Sequence, residues 1–375
     1  MTDAGLRESY LRFPGWSQHF WTWMTGKALP HQKPLIRHTW ASYVTVTLLW
    51  FFSGLALSSA AIALQFHLWY LVMVAGWILT LQGARTMILV IAHQALHRKF
   101  SGHEKADWFF GELVTVLNVY QDFQEFKDEH FYAHHRRAIF ASVQDPPVQV
   151  LLNLGFRPGM TRAQLWRRAF VVFLSPAFYW TSFVGRVKCN LLKGKWRRAG
   201  FYAWAALWLS VPFWVPNGYL VLLLGFVLPV IILSQLSALL DKLGEHAWLT
   251  PPDPKHGNKF YTVSATSARF CGSRVPAKSL PWHTKLVAWP RWVAVTLFYH
   301  LPCRLTVIVG DLPNHDFHHR YPTTPDWMVA AYARQGDIDS GDYGPEYTEV
   351  WGMARAVDRM FTTLSEVPAH ARMAG

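Results

Sequence analysis

From His38 to Ala84, and again from Ala199 to Leu240, the chain carries no Asp, Glu, Lys or Arg. A helical pass through a bilayer takes about 20 apolar residues, so each block suits a hairpin of two passes. The turn of the first is placed at "LQFHLW", residues 64–69, and that of the second at "VPNG", residues 215–218, where Pro and Asn-Gly supply turn chemistry. Neither turn holds a Lys or Arg, whereas the segments outside the blocks carry "HRK" at 97–99, "HRR" at 135–137 and "KGKWRR" at 193–198. Basic loops stay on the cytoplasmic side, which predicts two hairpins opening there. The net charge of +13 then reads as a topology signal and not as a nucleic-acid footprint.

Composition agrees: 51% of residues are hydrophobic and 16% charged, against roughly 25% charged in an ordinary soluble domain. Trp40, Trp69, Tyr70 and Tyr202 near the block ends suit interfacial aromatic belts. Two shorter apolar runs, residues 169–185 and 292–310, are read as helices lying in the interface or under the cytoplasmic part, because making the first a span would export "KGKWRR". The expected fold is an all-α integral membrane protein of four spans in two hairpins, with a cytoplasmic helical cap. Its segments are a cytoplasmic N-terminal stretch (1–37), a membrane domain (38–322) and a cytoplasmic C-terminal stretch (323–375). Cys189, Cys271 and Cys303 are widely spaced and form neither a disulfide framework nor a CxxC motif. The N-terminus shows no short apolar core before Arg37, so no cleaved signal peptide is expected.

Histidines gather where the predicted hairpins open. His93 and His97 form HxxxH; His130, His134 and His135 form HxxxHH; His315, His318 and His319 form HxxHH. With 18 histidines in 375 residues one HxxxH is expected by chance, but a given triad pattern only ~0.04 times, so two triads carry the signal. Helical spacing puts the first and a later His of each triad on one face and turns the adjacent His about 100° away, so one helix can serve two metal ions. His135 and His319, the second members of the adjacent pairs, are the expected bridges to a second ion. Imidazole suits Zn, Cu, Fe and Ni; a structural zinc takes four ligands, and neither HExxH nor ExxH occurs here. Two ions of roughly four to five nitrogens each, with iron as the best fit, is the natural division.

The three boxes, with a hairpin between the second and third, resemble those of the membrane fatty acid desaturase and hydroxylase superfamily over about residues 38–322. The resemblance implies two non-haem irons that use dioxygen to take hydrogen from an unactivated carbon of a fatty acyl chain. It implies His93, His97, His130, His134, His135, His315, His318 and His319 as ligands, with His246 of "GEHAW" as a ninth. Acyl-CoA desaturases carry an Asn four residues before that extra His; Lys242 stands there, which argues against a close acyl-CoA desaturase. Desaturation is the expected reaction, with hydroxylation or oxidative decarboxylation of a free fatty acid to a terminal alkene as alternatives at the same site.

Asp122, Asp128, Glu129, Glu245, Asp311 and Asp316 are near enough in sequence to orient ligand imidazoles. Arg136, Arg137 and Arg320 could attract a carboxylate, a phosphate, an acidic carrier or anionic lipid. His38, His67, His103, His256, His283, His300 and His370 lie outside the boxes and are read as ordinary polar residues. No GxGxxG, CxxC or HPGG motif supplies electrons, so an external donor is expected, a ferredoxin or cytochrome b5 with its reductase, docking on a basic cytoplasmic face of the bacterial inner membrane or the ER. Membrane lipid is the other expected partner; nucleic acid is not.

Overall fold

The computed structural model describes residues 5–136, 138–250, 258–342 and 347–368. Arg137, His256 and His370 lie outside them. The chain is mostly helical and divides into two compact units, residues 38–136 with 166–240, and residues 1–37 with 137–165 and 241–375.

In the first of these, the uncharged block from His38 folds as two long helices, Trp40–Leu64 and Trp69–Thr86, the second running on without a break to Leu96. Thr39 starts the first with a reciprocal cap on Ser42. The turn falls where the sequence places it, with Gln65 and Leu68 in the left-handed region. Small residues let the helices touch backbone to backbone: a Cβ on Gly76 would lie 2.7 Å from the Ser58 nitrogen and 2.8 Å from the Gly54 oxygen. The second block gives the helix Lys195–Trp214, a turn at Asn217 and a continuous helical stretch, Gly218–Glu245. Asn217 donates to the carbonyls of Ile62 and Ala63, joining the ends of the two pairs.

Among the described residues, three helices are long and apolar enough to cross a membrane: Trp40–Leu64, Trp69–Leu96 and Gly218–Glu245. Lys195–Trp214, expected as a fourth, is not among them, since its Trp, Tyr and Arg residues lower its mean hydropathy. A further candidate is the pair Arg162–Phe173 and Pro176–Leu192, bent by 63° where Pro176 opens the second helix.

"KGKWRR" is more than a topology signal. Arg197 is buried, pairs with Glu112 at 2.8 Å, and donates to the Thr115 hydroxyl and the carbonyls of Tyr120 and Gln121. It thereby fixes the turn that precedes the second histidine box. A buried guanidinium whose two Nη groups both donate to acceptors, one of them a carboxylate, is an arrangement in which such a charge is tolerated.

In the other unit, the N-terminal stretch packs Leu6 and Tyr10 with Phe270, Val275, Trp292 and Trp351 in one core. Two short parallel strands cross it, β1 (Ser267–Phe270) and β2 (Thr348–Trp351), paired Ser267 to Thr348 through Phe270 to Trp351. Strand signal this short is invisible in a sequence. The C-terminal stretch is also ordered into this core: Met353–Glu366 is a helix whose Met353, Ala356, Val357, Met360, Phe361 and Leu364 are buried at helical spacing.

Candidate metal centre

The helix that begins at Trp69 carries His93 and His97 at its end, their ring centroids 5.2 Å apart. The second box departs from the expected geometry. Residues Asp128–His134 wind as a π-helix, closed by a bond from the His135 amide to the His130 carbonyl at 2.9 Å. One extra residue per turn brings His130 and His135 onto one face, with Nε2 atoms 2.8 Å apart. His93, His97, His130 and His135 each offer a ring nitrogen, and these nitrogens all lie within 4.8 Å of one another. His130 is the hub, its ring centroid 4.5 Å from those of His93 and His135 and 5.3 Å from that of His97. His134 is buried beside it but is not one of these four. The expectation that His135 leaves the group of His130 is therefore corrected; the residue that leaves is His134, because the π-turn replaces i, i+4 by i, i+5.

Burial, and after it the crowding of His93, His135, His97 and His134, hold the His130 imidazole well below its ordinary pKa. A neutral imidazole keeps the lone pair that a metal needs.

In the unit that holds the third box, His315–Arg320 is a short α-helix, and here ordinary spacing holds. His315 and His319 meet with Nε2 atoms 3.1 Å apart. His319 thus stays with the first His of its box, and it is His318 that stands apart from the pair, its ring stacked 5.6 Å from that of His315. His246, which follows the last residue of the Gly218–Glu245 helix, joins them, so that His246, His315 and His319 offer nitrogens within 4.8 Å of one another. Its ring is locked by Trp248, Phe140 and Thr266, the last accepting from Nδ1 at 2.9 Å. Phe140 also lies against His319, so apolar rings close this cluster off from water.

Both clusters fit a metal ion. Two ligand atoms at right angles, each about 2.0–2.2 Å from one metal, lie roughly 3 Å apart, and the two Nε2 pairs stand at 2.8 Å and 3.1 Å.

The carboxylates sort differently from the sequence reading. Asp122 caps the helix Phe123–Lys127, while Asp128 and Glu129 bind Gln124 and Gln121. Asp316, between two box histidines, is wholly buried and held by Arg334. Arg320 is buried against Asp337 and Tyr347 and is no surface anion attractor. Glu245 meets a cluster nitrogen, 3.1 Å from His315 Nε2. Thr266, Phe140 and Arg334 carry no motif, and nothing in the sequence marks them.

The family model described as "Fatty acid desaturase" matches residues 68–351. The match includes all nine histidines and, unlike the expected 38–322, begins at the second long helix and runs on through β2. No curated protein matches the chain.

Proposed function

Because the chain belongs to the fatty acid desaturase family, we propose that it oxidises an unactivated C–H bond of a fatty acyl chain at two irons held by histidine, with desaturation as the reaction. The observation that carries the reading is the gathering of histidines from separate stretches of the sequence into clusters whose ring nitrogens lie within 4.8 Å of one another. Breaking an alkyl C–H bond exceeds side-chain acid or base chemistry, and the bound irons would supply oxidising power drawn from dioxygen. His93, His97, His130 and His135 hold one ion, His246, His315 and His319 the other, with His134 and His318 as the remaining ligands. Thr266 fixes the His246 tautomer so that its Nε2 presents a lone pair, and Phe140 and Trp248 keep water from the nitrogens.

Reducing dioxygen to two waters takes four electrons. Desaturation yields two from the substrate, so two must come from an external donor, a ferredoxin or cytochrome b5 with its reductase, docking on the basic face. Purified protein given oxygen and free, carrier-bound or lipid-bound acyl chains, with and without such a donor, is the test, read by mass spectrometry. Alkenoyl products formed only with the donor are expected, at a rate that falls as salt rises. Hydroxy acids or terminal alkenes would name one of the other outcomes, and sustained turnover with no reductant or peroxide would sink the scheme.

The proposed topology is four passes in two hairpins, with both termini and all boxes cytoplasmic. Two hydrogen-bonded ends support it: Arg197 ties the start of Lys195–Trp214 to the turn before the second box, and Asn217 ties its far end to Ile62 and Ala63. Reporter fusions at residues 66 and 217 should read external, and those at 194 and 255 internal. An external signal at 194 would make the bent pair before it the span instead.

A further inference from the structure

Glu245 is the last residue of the Gly218–Glu245 helix, and its carboxylate turns into the cluster of His246, His315 and His319. Oε1 stands 3.1 Å from His315 Nε2, the same distance that separates His315 Nε2 from His319 Nε2, and 3.7 Å from His246 Nε2. Hydrogen positions decide what this means. The Thr266 hydroxyl donates to the Thr262 carbonyl at 2.6 Å, so toward His246 it accepts, and the His246 proton sits on Nδ1. His246 Nε2 therefore presents a lone pair toward Glu245 Oε1, which is itself an acceptor. A single proton on His315 Nε2 can point at Glu245 or at His319, not at both.

We infer that Glu245 Oε1 is an oxygen ligand of the metal held by His246, His315 and His319, giving that ion a mixed nitrogen and oxygen shell while its counterpart at His93, His97, His130 and His135 has imidazole alone. A cation bound at His315 Nε2 would have both Glu245 Oε1 and His319 Nε2 beside that ligand, each 3.1 Å from it, which is the separation of neighbouring ligands on one ion. The carboxylate also offsets charge where a helix of membrane-spanning character ends, a place where an uncompensated carboxylate is costly. The two ions then differ, a hard oxygen ligand favouring the more oxidised iron on one side.

The inference rests on the two-iron reading, and the test separates the two. Wild-type protein, Glu245→Gln and Glu245→His would be purified with 57Fe, iron counted, its release to a chelator timed, and Mössbauer spectra recorded. Glu245→Gln keeps the shape and an accepting oxygen but loses the anionic ligand; it should release one of two irons at least ~10-fold faster, and one of two quadrupole doublets should change. Glu245→His restores a ligand atom and should retain both irons. Two irons with unchanged release and spectra in Glu245→Gln would overturn the assignment, as would equal loss in both variants, which marks a packing role. Wild-type protein without iron would instead remove the parent reading.

Discussion

His130→Ala is expected to leave the purified protein with one iron or none in place of two, and without measurable oxidation of acyl chains. His130 is the imidazole around which His93, His97 and His135 close, and its Nε2 lies 2.8 Å from that of His135. Orienting residues behind a metal ligand are worth roughly 10–100-fold in affinity or activity, and removal of a ligand at the hub costs more than that. His283→Ala, on an exposed residue outside the boxes, should change neither iron nor rate. Iron determination beside product analysis reads both. Stoichiometric zinc in protein made with ample iron, together with activity that survives iron removal, would end the iron assignment.

Arg334→Met should cost about 3–5 kcal/mol, because it strands a buried carboxylate. Arg334 is almost wholly buried, donates from Nε and an Nη to Asp316 at 2.9–3.1 Å, and reaches Glu349 with its other Nη at 3.0 Å. Glu349 in turn pairs with Lys27, so one chain of charges links the third box, β2 and the N-terminal stretch. Burial pushes the Asp316 carboxyl up and Arg334 pulls it back. Without the guanidinium that opposition is gone, and thermal unfolding in detergent should come earlier by on the order of 5 °C. Arg334→Lys keeps a charge but cannot hold Asp316 and Glu349 through one planar fork, so it should fall between. An unchanged midpoint in Arg334→Met would show that the pair contributes nothing.

Much was readable without coordinates, for a physical reason in each case. The uncharged blocks gave the long helices, since membrane-length apolar runs have few other folds, and Asn-Gly at 217–218 and the polar break at 65–68 gave their turns. Metal chemistry demands particular residue types at short spacing, which is why the histidine boxes stood out in the sequence as candidate metal sites. Lys195–Trp214 was legible as a helix, but the lack of charge after Arg198 hid that its hydropathy falls short of that of the three long apolar helices.

What tertiary structure decided is how those histidines divide. The spacing of the second box reads the same in an α- and a π-helix; the extra residue per turn, which sends His135 and not His134 to join His130, is set by backbone bonding across Asp128–His134 and leaves no mark on the sequence. Arg197, Arg334, Thr266 and Phe140 were likewise beyond reach, because each acts on the clusters or their supports through partners remote in the chain. A charge in a sequence is equally a solvated surface group or a buried brace, and only its neighbours in space distinguish the two.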